Sequence, residues 1–230
     1  MLNSSRAIFR KDLKLMLGKG AGHAQAVLLG LLLIFMFSLT RGAAEPFSAL
    51  AASTIFWVST IFSLTLIFTS LYALEENHGQ RQGLLLSPAP IQGVWLGKAM
   101  AGLVILFLTQ LVFLPAAIIF LDQSIREGTA LLISPGVILC VDLGLAAAGS
   151  LLGALAQGQA ARESILGIIV FPLLLPLLLA AIRLNAMLPD GEYSRNSGGM
   201  LAWLNIVLAF DCLFSAAGLL LFSVVYRSQE

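Results

Sequence analysis

Six stretches of the chain carry almost no charge: roughly 24–40, 50–74, 99–121, 130–156, 164–182 and 200–226. A membrane-crossing helix needs about 20 mainly apolar residues, so the pattern predicts six such helices. The connections between them fall at 41–49, 75–98, 122–129, 157–163 and 183–199. The chain opens differently, with "NSSRAIFRKDLKLMLGKG". There Arg6, Arg10 and Lys14 recur every four residues on one helical stripe, while Phe9, Leu13, Met16 and Leu17 form another face. This predicts a basic amphipathic helix over 3–19, lying in the cytoplasmic interface with its cations near anionic headgroups. A topogenic charge cluster is the plainer alternative.

Composition places the molecule in the same class. Hydrophobic residues make up 59% and charged residues 11% of the 230, with a mean hydropathy of +0.95. Soluble domains carry about 25% charged residues, so too little polar material exists here to cover a water-facing surface. The expected fold is an all-α integral membrane protein, one transmembrane domain over 1–230. The basic residues before 24–40 and the "LTRGAAEPFSA" after it only weakly resemble a cleavable signal, and a retained first span is expected. Arg6, Arg10, Lys11, Lys14, Lys19, Arg81, Lys98, Arg162 and Arg227 gather on one side of the predicted topology. Arg41, Arg126, Arg183 and Arg195 take the other. The positive-inside rule then puts both termini and 75–98 in the cytoplasm. A net charge of +1 gives no case for nucleic acid.

A few residues break the apolar pattern. Asp142 and Asp211 each sit inside a predicted span, where a carboxylate costs about 2.5–3.5 kcal/mol at the helix centre on insertion scales. Two readings stay open: a substrate path or proton relay, or an internal hydrogen bond to a neighbouring helix. Pro172 and Pro176 predict a kink or local unwinding in the fifth span, and Pro115 and Pro135 read likewise. "GSLLG", 149–153, permits close helix approach, within the chain or in a dimer. Cys140 and Cys212 read as small packing residues rather than a disulfide. His23 and His78, the two histidines, read as polar residues before they read as metal or haem ligands. No HExxH, GxSxG, Walker A or Cys–His cluster occurs, so the chain is not expected to be an enzyme.

The connection "EENHGQRQGLLLSPAPIQGVWLGK", 75–98, is half apolar. Glu75 and Glu76 mark the emergence into the cytoplasm. Leu84, Leu85 and Leu86 then form an apolar knob between Arg81 and Pro88, and Trp95 and Lys98 are expected at interface depth on re-entry. Such a knob is either a docking site for a soluble partner or a segment lying on lipid. The long stretch from "FWVSTIFSLTLIF" through "YALEENHGQRQGLLLSPAPIQGVWLGKAM", with "SILGIIVFPLLLPLLLAAI", "VLAFDCLFSAAGLLLF" and "RKDLKLML", resembles the cytochrome c maturation protein B, or haem exporter protein B, family. The similarity runs nearly end to end.

The resemblance implies a permease subunit of an ATP-binding cassette complex in a bacterial inner membrane. Its six spans would be of the ABC-2, type V exporter-like kind, with an interfacial N-terminal helix. It implies that 75–90 acts as a coupling segment inserted into a separate ATPase, cytochrome c maturation protein A. Docking would fall to Glu75, Glu76, Arg81, Leu84, Leu85, Leu86 and Pro88. Two permease copies, membrane subunits C and D and, indirectly, a haem chaperone complete the implied assembly. No cofactor is permanently bound; haem is the substrate handled. Neither histidine is external in the predicted topology, so iron ligation is not expected. Propionates could meet Arg41, Arg126, Arg183 or Arg195. A permease for a lipid, glycan or drug and a non-transporting scaffold are the alternatives.

Overall fold

In lipid every backbone N–H and C=O must be satisfied within its own segment or by a neighbour, and the apolar stretches meet that demand as helices. The computed structural model describes residues 2–19, 21–40, 47–76, 90–122, 129–156, 162–187 and 197–227. These hold α1 (Leu2–Lys19), α2 (Ala21–Leu39), α3 (Ala49–Glu76), α4 (Ile91–Phe120), α5 (Thr129–Ala156), α6 (Arg162–Met187) and α7 (Ser197–Arg227). Among the described residues there is no strand. Helices α2, α3, α4, α5 and α7 are long and apolar enough to cross a membrane, and α6 carries a shorter apolar stretch, Phe171–Met187.

The helix ends follow from local chemistry. Ser48 Oγ accepts the Ala51 amide at 3.2 Å, capping α3. Pro90, with φ −66°, precedes α4, where its missing N–H removes nothing the helix would have used. Asp122 closes α4 at φ 53°, a left-handed position that aspartate tolerates better than most residues. Helix α4 starts at Ile91, eight residues ahead of the predicted span. Residues 91–98 are therefore its first two turns, and Trp95 and Lys98 are buried in the bundle. Helix α6 runs unbroken through Pro172 and Pro176, both exposed on its outer face, so no local unwinding is seen there.

Helix α5 is the most deeply buried and α3 packs on α2, α4, α5 and α6, while α2 and α7 are peripheral. Large apolar side chains such as Leu28, Leu32, Leu220 and Val224 face outward from those two, as expected where lipid is the solvent. Hydroxyls on α3 staple it to its neighbours by donating to their carbonyls. Ser63 reaches Ala26 O on α2 (2.8 Å), Ser53 reaches Ile182 O on α6 (2.9 Å), and Tyr72 reaches Ser150 O on α5 (2.7 Å). The rings of α3 lie in glycine notches. Phe68 fills the space beside Gly102 and Gly149, and Tyr72 covers Gly153; a methyl at Gly153 would lie 2.7 Å from that ring. The "GSLLG" stripe thus receives aromatic side chains of the same chain.

Helix α1 shows three stripes. Ser5, Ile8, Asp12 and Met16 are buried. Phe9 and Leu13 are half-buried, and Arg6, Arg10 and Lys14 are exposed. The face turned to the bundle is therefore offset from the expected apolar face and includes a carboxylate.

Candidate functional site

The segment predicted to dock a partner joins the end of α3 to the start of α4, and both of these helices contact α1. Gly97 lets α1 approach α4 closely: a methyl there would lie 2.9 Å from both Ile8 Cβ and Ser5 O. One residue on, the Lys98 ammonium donates to Asp12 Oδ2 at 3.4 Å and to Leu71 O at 3.3 Å. It also stands 4.6 Å from the centroid of the Tyr72 ring. Both charged side chains are fully buried. A buried charge is tolerated only when paired and hydrogen-bonded, and an aromatic face adds cation–π attraction. Lys11 Nζ lies 3.1 Å from Asp12 Oδ1 but forms no hydrogen bond with it, so its contribution is that of a nearby charge. A single cation thereby touches α1, α3 and α4.

The two intramembrane carboxylates occupy opposite sides of α5. Asp142 accepts from Gln110 Nε2 of α4 at 2.9 Å, and both residues are buried. Asp142 Oδ2 and Gln110 Oε1 have no hydrogen-bond partner. Asp211 of α7 meets α5 at Cys140, whose thiol stands 3.8 Å from Asp211 Oδ2, and at Gly144, where a methyl would collide with Asp211 Oδ1. That oxygen has no hydrogen-bond partner. Asp211 also lines a groove of about 260 Å³ between α4, α5 and α7, whose walls include Met100, Leu103, Leu143 and Ala147.

Of the docking residues, Glu75 and Glu76 form the last turn of α3, while Arg81, Leu84, Leu85, Leu86 and Pro88 lie outside the described residues, as does His78. Arg41, Arg126 and Arg195 also lie outside them, and Arg183 is exposed near the end of α6. His23 is half-buried on α2. Cys140 and Cys212 are free thiols. Among the described residues, no three His, Cys, Asp or Glu side chains gather as a metal site would require. Sequence reasoning missed Gln110 and Asp12, and it named Lys98 without its pairing. Gln110 is an amide within an apolar run, Asp12 is the one acidic residue in a basic helix, and Lys98 follows a glycine and precedes the longest uncharged run of α4. Each departs from its surroundings, and that departure was the available signal.

The family model for the CcmB protein matches residues 3–222. The chain belongs to the CcmB family. It is also similar to the Heme exporter protein B of Haemophilus influenzae (strain ATCC 51907 / DSM 11121 / KW20 / Rd), 25% identical over 205 residues, which are 87% of this chain and 88% of the relative. The family match takes in α1, the connection after α3 and nearly all of α7, so both the Asp12–Lys98 pair and the Asp211 groove fall within it. With its apolar helices, this CcmB-family chain is a multi-pass membrane protein.

Proposed function

We propose that the chain is the membrane permease subunit of an ATP-binding cassette complex that moves haem for the assembly of c-type cytochromes. The observation that carries this reading is the end-to-end family match, residues 3–222, joined by a relative named Heme exporter protein B that aligns over 87% of the chain. The chain holds no Walker motif, so the ATPase is a separate polypeptide. It docks on 75–90 through Glu75, Glu76, Arg81, Leu84, Leu85, Leu86 and Pro88. Two permease copies and two further membrane subunits complete the assembly, which loads or releases a haem chaperone.

In this reading the protein sits in a bacterial inner membrane with α2 to α7 as six spans of the ABC-2, type V exporter-like kind. Both termini face the cytoplasm, and α1 rests at the interface with Phe9 and Leu13 toward lipid and Arg6, Arg10 and Lys14 toward headgroups. Asp142 serves as an internal staple to Gln110. Haem is substrate rather than cofactor.

The deciding experiment reconstitutes the tagged chain with its co-purifying ATPase and membrane partners in vesicles. ATP turnover is expected to rise when haem and the chaperone are supplied; turnover indifferent to both rejects haem handling. For the topology, a cysteine at position 81 should react with a membrane-impermeant maleimide only from the cytoplasmic side, and one at position 195 only from outside. Reaction of both from one face overturns the six-span arrangement.

A further inference from the structure

Asp211 lies fourteen residues after Ser197 and sixteen before Arg227, roughly 20 Å from either end of α7 at about 1.5 Å per residue. It is therefore near mid-depth of a helix that spans the bilayer. Its groove opens sideways: Met100 and Leu143 at the rim are 42% and 46% exposed, and Cys212 is exposed as well. Here the neighbouring medium is hydrocarbon, which supplies no hydrogen bonds. Yet Oδ1 of this carboxylate has no partner, and Oδ2 has only a thiol at 3.8 Å. Intramembrane carboxylates are retained where they meet a partner; among the described residues Asp211 meets only the Cys140 thiol and the Gly144 backbone, and no cation.

We propose that this groove is a socket for a Lys or Arg side chain carried at mid-depth by a membrane helix of another polypeptide. The walls are mostly apolar, and the residues with polar groups among them are Asp211, Ser215, Cys212 and Trp95. They suit the alkyl stem of such a side chain, with its charged head placed on the carboxylate. The volume, about 260 Å³, lies below the roughly 300–1,000 Å³ of sites for drug-sized ligands. A phospholipid amine belongs at the headgroup level and cannot reach mid-depth, and an anionic ligand would meet like charge. A second copy of this chain does not fit either. Within the described apolar spans of α2 to α5 and α7 the one basic residue is Lys98, and it is fully buried on Asp12. The arginines of α6, Arg162 and Arg183, stand at or near its ends. The inference rests on the proposed role as one subunit of a membrane complex, but not on haem being the cargo.

The test places the photocrosslinking residue p-benzoylphenylalanine at Leu143 in cells that express the chain with its native partners. Adducts are then sequenced after irradiation. The expected adduct is with a membrane helix of another polypeptide that has Lys or Arg within one turn of the linked residue. Its yield should fall about tenfold in Asp211→Asn, on the scale of a lost interhelical polar contact, and persist in Asp211→Glu. Exchanging the charges, with Asp211→Lys here and Asp at the partner's basic position, should restore it. Adducts with lipid alone, with a second copy, or with a helix lacking a basic residue overturn the proposal, as does a yield unchanged in Asp211→Asn. Recovery of the ATPase is measured in the same preparations. ATPase retained without the adduct rejects the socket alone, and an adduct retained without any ATPase rejects the proposed function and leaves the socket standing.

Discussion

Lys98→Met is expected to destabilise the protein by about 3–5 kcal/mol, the usual result of removing one member of a buried ion pair. The substitution leaves Asp12 fully buried without the ammonium that donates to it at 3.4 Å. It also removes the donor to Leu71 O and the cation facing the Tyr72 ring. Methionine nearly preserves the volume, so the loss is electrostatic rather than a cavity. The double substitution Asp12→Asn, Lys98→Met should recover much of the deficit, because it also removes the buried carboxylate, which in the single variant keeps only the partly exposed Lys11 nearby. The measurement is unfolding of the purified protein in detergent, read as midpoint shifts for the two single variants and the double. A single Lys98→Met variant that unfolds with the wild-type midpoint rejects a structural role for the pair.

The position of that pair matters as much as its strength. Lys98 stands two turns into α4, and Leu71 lies five residues before the end of α3, so the ammonium bridges the two helices that flank the connection after α3. Asp12 adds α1 to the same point. Under the proposed function, a displacement of the connection would reach α3 and α4 together and be felt by α1. Hydrophobic contacts alone would allow these helices to slide; a fully buried charge pair resists separation because each charge has no water to return to. The Gly97 contact with Ile8 and Ser5 fixes the same three-way junction sterically.

How much of this was readable beforehand depends on the kind of interaction. The six apolar stretches were legible because lipid imposes one rule on every residue of a span, and each stretch is covered by a helix. The extension of α4 back to Ile91 was not, because "IQGVWLGK" holds too little apolar length to stand out and its burial comes from packing against α1 at Gly97 and against α5 and α7 at Trp95. Asp142 and Asp211 were conspicuous as carboxylates in apolar runs, while their neighbours were not. Gln110 and Asp142 are 32 residues apart, Cys140 and Asp211 are 71 apart, and no local spacing encodes which helix faces which. The "GSLLG" stripe announced close approach but not its occupant; that Phe68 and Tyr72 fill it follows from the position of α3 in the bundle. The offset of the buried face of α1 has the same origin. The helix carries three stripes, and a reading in two faces leaves no place for a buried Asp12.

Under the proposed function, substituting Asp for Leu84, Leu85 and Leu86 together should abolish co-purification of the ATPase while leaving the chain inserted and folded. These three leucines lie outside the described residues, so the argument rests on chemistry. Fully burying a leucine contributes about 1.5–3 kcal/mol, and each 1.4 kcal/mol is tenfold in affinity. Losing even half of three such contributions lowers affinity by about 40-fold at the low end of that range and about a thousandfold at the high end. Three carboxylates seated in an apolar groove add a desolvation penalty in the same direction. The bilayer helices are untouched, so membrane extraction and the unfolding midpoint should match the wild type. Leu84→Ala, Leu85→Ala and Leu86→Ala, made singly, should each weaken recovery by a smaller factor, and a single residue that dominates would be the anchor of the interface. Undiminished recovery of the ATPase with the triple aspartate variant would show that these leucines rest on lipid, and the coupling role proposed for 75–90 would fall with it.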